Sequence, residues 1–174
     1  KKLPIHDPSV RKLTPSKNLF ASLARAIIYQ QLSGKAAGSI ERKFIALFPK
    51  KKFPTLADVL QLTDDQFQSA GVSAQKRKYM RDLATKFIDK TIKEKKLRTM
   101  NDDDIRNHLI LVKGIGHWTI DMFLMFALNR PNILPVGDLG VRKGFQKAFK
   151  LRSLPDEKKM RLLAREYDGE HTQL

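Results

Sequence analysis

Two glycines, Gly114 and Gly116, stand directly before the most apolar helix-like run of the chain, in "LVKGIGHWTIDMFLMF", residues 111–126. Glycine leaves room for something to approach the backbone. A dinucleotide or Walker-type phosphate loop is excluded, because neither GxGxxG nor GKS/GKT is present and no strand pattern precedes the pair. A plain turn between two helices is one reading that fits. The other is a helix–hairpin–helix, in which the glycines allow a tight turn and expose the amides that open the following helix. Such amides have no partner within the helix, and the helix dipole adds a favourable field for an anion. They meet phosphate rather than base edges, so the element would grip a nucleic acid without reading its sequence.

Asp138 is the second residue of interest. It follows the turn "LPVG" and precedes "LGVRKGF", 22 positions beyond Gly116 (138 − 116). Taken alone it is a good helix N-cap.

The composition favours a polyanionic partner. Thirty-four Lys and Arg against 18 Asp and Glu give a net charge of +16, the footprint expected of a nucleic-acid binder. A solvated basic surface is the plainer alternative. The longest fully apolar run, "MFLMFAL" (122–128), falls far short of the ~20 residues a membrane-spanning helix needs, so no membrane partner is expected. "KKLPIHDPSV" has no apolar stretch of the signal-peptide kind. The absence of cysteine excludes disulfides, thiolate zinc sites and iron–sulfur clusters. The four histidines, His6, His108, His117 and His171, lack metal-ligand spacing, so no side-chain metal site is expected. The protein is expected inside the cell.

Helical periodicity dominates the chain. In "NLFASLARAIIYQQLS" the residues Phe20, Leu23, Ala24, Ile27 and Ile28 share a face, with Ser16 as the expected cap, and Gly34 interrupts the pattern. "KAAGSIERKFIALF" groups Ala36, Ala37, Ile40, Phe44, Leu47 and Phe48, and "PKKKFP" ends it, its Lys50–Lys52 run reading as surface. Short helices are expected in "TLADVLQL" and "TDDQFQSAG". A longer one in "AQKRKYMRDLATKFIDKTI" turns Met80, Leu83, Ala84, Phe87 and Ile88 inward. There Lys76, Arg77 and Lys78 read equally as a solvated face or a backbone contact. "NDDDIRNHLILV" has acids in its first turn, where the dipole favours them. "IDMFLMFALN" reads as a buried run, and "LGVRKGFQKAF" and "DEKKMRLLAREY" complete the series. No strand alternation is convincing, so the expected fold is all-α with eight to ten helices.

The stretch "LVKGIGHWTIDMFLMFALNRPNILPVGDLGVRKGF", preceded by "AIIYQQLSGKAAGSI" and "AGVSAQKRKYMRDLA", resembles the helix–hairpin–helix (HhH-GPD) DNA glycosylases, specifically the alkylpurine, or 3-methyladenine, branch of yeasts and bacteria. The resemblance covers about residues 15–150, and order, spacing and hairpin-to-aspartate distance match together. It implies one domain over 1–174, with two helical lobes, a DNA-binding cleft between them and the hairpin at about 105–129. Asp138 would then face the cleft and stabilise the oxocarbenium-like sugar as the glycosidic bond breaks. Trp118 stands where bifunctional relatives carry a Schiff-base lysine, so the resemblance implies base release without strand cleavage. With Met122 and Tyr29, Trp118 would line a pocket for a flipped base. Gln31, Leu32 and Ser33, in "YQQLS", would enter the minor groove, Gln31 filling the gap left by the extruded nucleotide. Lys113, His117, Thr119 and the amides of Gly114 and Gly116 would hold a phosphate. No cofactor is required, although hairpin carbonyls in this family can hold Na⁺ or K⁺. The His117–Asp121 pair, at i and i+4, reads as a local hydrogen bond.

Two departures from the family pattern stand out. Bacterial relatives often carry an aromatic at Met122, and relatives continue with a tryptophan-proline-aromatic-arginine segment where this sequence reads "MRLLAREYDGEHTQL". Two expectations follow. The chain is a monofunctional N-glycosylase releasing 3-methyladenine and 7-methylguanine in base excision repair, or a family member that binds and shields abasic or distorted DNA while excising little. Either way the partner is damaged double-stranded DNA, the protein is expected to be a monomer, and its site of action is the nucleus in a eukaryote or the cytoplasm and nucleoid otherwise.

Overall fold

A computed structural model describes residues 14–171, with side chains through residue 165. His6 and the segment "KKLPIHDPSV" lie outside the described residues, as does the side chain of His171. The described residues form helices and no strand: α1 (Leu19–Tyr29), α2 (Gly34–Ala46), α3 (Leu56–Gln61), α4 (Asp64–Ser69), α5 (Ala74–Ile88), α6 (Glu94–Leu97), α7 (Asp102–Leu109), α8 (His117–Met122), α9 (Leu139–Ala148) and α10 (Glu157–His171). A π-helical turn, Phe123–Ala127, continues α8. The described residues divide into two compact units, one spanning Thr14–Arg130 and one running from Pro131 onward.

In the larger unit α1 is the central element and packs on α2, α5, α8 and the π turn. Its residues Leu19, Leu23, Ala24, Ile27 and Ile28 are fully buried, which satisfies the periodicity read from the sequence. Phe44 of α2 and Phe67 of α4 stack at 5.9 Å, and Phe20 meets Phe87 edge-on at 5.7 Å. These rings tie four helices into one core.

Several details differ from expectation. The cap of α1 is Asn18, whose side chain accepts from the Ala21 amide at 2.8 Å, while Ser16 hydrogen-bonds beside it. Ser33 caps α2, so Gly34 opens that helix rather than merely interrupting a pattern. On α2 only Ala37 and Phe44 are fully buried, and Ala36 is exposed. Ile88 is the last residue of α5 and is exposed. The short α6 carries too little periodicity to have been read. Its Glu94 turns in to accept the Leu19 amide at 3.0 Å. The π turn adds one residue to the helix, through a bond from the Leu128 amide to the Phe123 carbonyl at 3.1 Å. It thereby swings Phe126 to 55% exposure in a run expected to be buried.

The smaller unit is organised around α9 and α10. Asp138 caps α9, its Oδ1 accepting from the Val141 amide at 2.9 Å. Arg142 donates to the Pro155 carbonyl, and Met160 of α10 is fully buried.

Lys51 is more than surface. Its ammonium donates to both oxygens of Asp58 at 2.7 and 2.6 Å, and Asp58 closes a capping box with Thr55 at the start of α3. The Lys51 hydrogen bond, helped by those from Thr55, holds the Asp58 carboxyl down at about 2. Because the folded value lies below the unfolded one, this contribution to stability is present above the usual carboxylate range near 4. It is lost as pH falls toward 2. A carbon-detected NMR titration is expected to place the Asp58 midpoint near 2; a midpoint near 4 would mean that the capping box does not hold in solution.

Candidate functional site

The hairpin joins α7 to α8, and its two glycines serve different ends. Gly114 has a φ of +79°, and a Cβ there would lie 2.1 Å from the ring of Tyr79. Both the left-handed backbone and the packed ring demand glycine. Gly116 has an ordinary φ of −102°, and a Cβ added to it would meet nothing within 4 Å. No internal contact explains this second glycine. It is the N-cap of α8 and supplies no side-chain cap. The first helical bond runs from the Ile120 amide to the Gly116 carbonyl at 3.0 Å, so the amides of the first turn have no acceptor within the helix. With the π turn, the helical run behind them extends to Ala127.

One face of α5 holds this turn in place. Tyr79 and Asp82 meet it directly, and Lys76, one turn earlier on the same face, reaches the end of α1 beside it. Lys76 donates to the carbonyls of Ile28 and Gln30 at 2.7 and 2.8 Å, closing the C-terminus of α1. Burial pushes its ammonium below the ordinary lysine value. Asp82 accepts from the Lys113 amide at 2.8 Å. Gln30 completes the link, donating to the Gly114 carbonyl at 2.7 Å and the Thr119 hydroxyl at 3.2 Å. Lys76 and Arg77 are therefore structural, Arg77 donating to the Asp64 carbonyl at 2.6 Å. Asp121 is buried and pairs with Arg106 of α7, not with His117, so the two helices of the hairpin are clamped by an ion pair.

The turn after α1 approaches the same place. Gln31 has a φ of +56°, a left-handed conformation that costs a non-glycine residue about 1–2 kcal/mol. Gln31 and Leu32 are exposed, and with Gly114, Trp118 and Thr119 they line a cavity of about 650 Å³. Ser33 is exposed too, its hydroxyl accepting from the Ala36 amide. Lys113 and His117 are exposed on the hairpin.

The three residues expected in one base pocket are divided. Trp118, 40% exposed, lines the cavity of Gln31 and Leu32. Tyr29 and Met122 line another, of about 400 Å³, with Phe126 and Glu41. Residue types alone cannot separate these, because Trp118 and Met122 are neighbours one turn apart on α8. Gln30, Tyr79, Asp82 and Arg106 were also not singled out from the sequence. Only the periodicity of α5 carried a signal for two of them. Asp138 belongs to the smaller unit, where its carboxylate caps α9.

As to a bound ion, no group of three or more His, Asp or Glu among the described residues could hold a metal. The hairpin offers carbonyls instead. Those of Val112 and Gly114 each accept one hydrogen bond and keep a second lone pair. Such donors suit a monovalent cation.

The two glycines predict opposite responses in urea unfolding. Gly114→Ala combines left-handed strain with a clash into Tyr79 and is expected to cost about 2–4 kcal/mol. Gly116→Asp places a good N-cap on α8 and is expected to leave stability within about 1 kcal/mol or to raise it. The reverse order would contradict the assignment.

A family model described as "HhH-GPD superfamily base excision DNA repair protein" matches residues 24–167. The chain is 31% identical over 140 residues to DNA-3-methyladenine glycosylase 1 of Schizosaccharomyces pombe, covering 80% of this chain and 61% of that protein. It is 34% identical over 140 residues to DNA-3-methyladenine glycosylase of Saccharomyces cerevisiae, covering 75% and 47% respectively. The chain thus spans roughly half to three-fifths of the length of these relatives. Among solved structures it is similar to the S. pombe 3-methyladenine DNA glycosylase Mag1 in complex with abasic DNA. That match has a TM-score of 0.79 at 28% identity, over 92% of this chain and 77% of that one.

Proposed function

Since the chain belongs to the HhH-GPD superfamily of base excision DNA repair proteins, we propose that it binds damaged duplex DNA and releases alkylated purines as a monofunctional N-glycosylase. The observation that carries this reading is Gly116. Its space is open and its backbone ordinary, which leaves room at the start of α8 for an outside group. A phosphate set on the amides of the first turn of α8, with Lys113 and His117 beside it, uses that space. The DNA contact is then sequence-independent and weakens with salt as counterions are released.

The chemistry follows from the leaving group and one carboxylate. Alkylation places positive charge on the purine, which eases its departure and weakens its stacking and pairing, so flipping costs less. Gln31 and Leu32, held forward in the turn after α1, fill the space left in the duplex. As the bond breaks, positive charge grows on the sugar, and the Asp138 carboxylate stabilises it. Trp118 has no amine to form a Schiff base, so the product is an abasic site in an uncut strand. The protein acts as a monomer, in the nucleus if eukaryotic and otherwise in the cytoplasm or nucleoid. It needs no cofactor for the chemistry; Na⁺ or K⁺ on the hairpin carbonyls would only firm the turn.

A second reading, a module that shields abasic or distorted DNA, is favoured by the N-cap role of Asp138, which already occupies Oδ1, and by the aliphatic Met122. Asp138→Asn separates the two, because Asn caps a helix as well as Asp does. In single-turnover release of 3-methyladenine and 7-methylguanine from methylated duplex DNA, the wild type is expected to release base. Asp138→Asn is expected to lose at least about 100-fold while still binding an abasic duplex. No release by either protein, with abasic binding intact, would support the shielding module. In the same binding assay Gly116→Asp sets a negative charge against phosphate and is expected to weaken affinity at least about tenfold. Unchanged affinity in a folded Gly116→Asp protein would overturn the hairpin's role.

A further inference from the structure

The 400 Å³ cavity is apolar along Ala26, Met122, Phe123 and Phe126 and polar at one end, where Arg25, Tyr29 and Glu41 meet. Glu41 lies in the middle of α2, within "GSIERKF", beside Arg42 and Lys43. Its side chain is nonetheless only 16% exposed, and both carboxylate oxygens are engaged. Oε1 accepts from Arg25 Nε at 2.5 Å, and Oε2 accepts from the Tyr29 hydroxyl at 2.9 Å. Arg25 is itself held over the ring of Phe53, 4.9 Å from its centroid. The ion pair and the stacking fix the carboxylate, and the carboxylate fixes the phenol.

A phenol has one proton to give. With that proton committed to Glu41, the Tyr29 oxygen offers only lone pairs to anything else. The same hydrogen bond is the main cause that raises the Tyr29 phenol above its ordinary value of 10, so it keeps its proton at neutral pH. A cavity of this size suits a single heterocycle, and its few polar groups would fix orientation and selectivity. We propose that Glu41 is a positioning residue for base selectivity: by holding the Tyr29 hydroxyl as an acceptor, it makes this cavity favour a planar base that presents an amino group over one that presents a carbonyl. The proposal rests on the glycosylase reading only in that the occupant is a flipped base. An amino group donates to the phenol oxygen, whereas a carbonyl would face it lone pair to lone pair, and a site built to hydrogen-bond rejects the mismatched group strongly.

Two variants test it through a ratio that general damage does not move. Release of 3-methyladenine, which has an exocyclic amine, is compared with release of hypoxanthine, which has a carbonyl at that position, each from the same duplex sequence. Relative to wild type, Tyr29→Phe removes the acceptor and is expected to shift the ratio toward hypoxanthine by about tenfold. Glu41→Gln keeps the shape, but its amide can donate to the phenol and free the O–H to turn toward a carbonyl. The same direction of shift is expected. A variant that merely loosens the fold slows both lesions together. If the wild type releases neither base, the glycosylase reading fails and the selectivity is read instead from NMR titration of free adenine against free hypoxanthine at Phe126 and Ala127. Preference for adenine that Glu41→Gln abolishes would sustain the proposal. A selectivity within twofold of wild type in both folded variants, in whichever assay applies, would overturn it.

Discussion

The ring of Tyr79 occupies the place where any side chain on residue 114 would lie. That contact, made possible only by a glycine at φ +79°, lets the hairpin fold back tightly on α5 and leaves the opening turn of α8 at the surface. Around it, Asp82 takes the Lys113 amide, Gln30 takes the Gly114 carbonyl, and Lys76 closes α1 from below. Each tie is individually modest, about 1 kcal/mol for an ordinary hydrogen bond and more for a charged one. Together they remove the freedom of the loop that leads into α8. The Arg106–Asp121 pair does the same for the two helices. Removing Arg106 would leave the buried Asp121 carboxylate unpaired and cost several kcal/mol.

The placement of the candidate site's side chains follows from this rigid base. α1 ends where Lys76 caps it, so the chain must turn at Gln31, and it does so through a conformation unfavourable to glutamine. Strain of that kind persists only when the surroundings impose it, and it gathers where function requires a side chain held forward. The π turn acts similarly on the far end of α8: one extra residue swings Phe126 out and brings it beside Met122. Phe126 thereby joins Tyr29 and Phe123 as a third aromatic ring in the wall of that cavity.

Much of this was legible in the sequence, and the boundary between what was and what was not is physical. The α1 core face, the short helices α3 and α4, the hairpin and the helix beginning at Asp138 are local patterns, and each appears where the periodicity and turn chemistry put it. The glycine pair was recognised as a turn, but the different duties of Gly114 and Gly116 depend on Tyr79, which is 35 residues away (114 − 79). The Glu41–Tyr29–Arg25 arrangement joins two helices through side chains that look solvated in one dimension. The π turn left no trace because its residues satisfy a helical pattern equally well. Ser16 yielded its expected role to Asn18 for a reason of register alone, two residues within one polar stretch.

The central claim is that the first turn of α8, opened by Gly116, receives a phosphate. It is tested most directly by titrating isotope-labelled protein with an abasic duplex and following the backbone amide resonances. The account predicts that the amides of Gly116, His117 and Thr119 move first and furthest, downfield as expected for donors to phosphate, while those of α3 and α4 stay in place. Binding that leaves these three amides unmoved and shifts resonances elsewhere would contradict it.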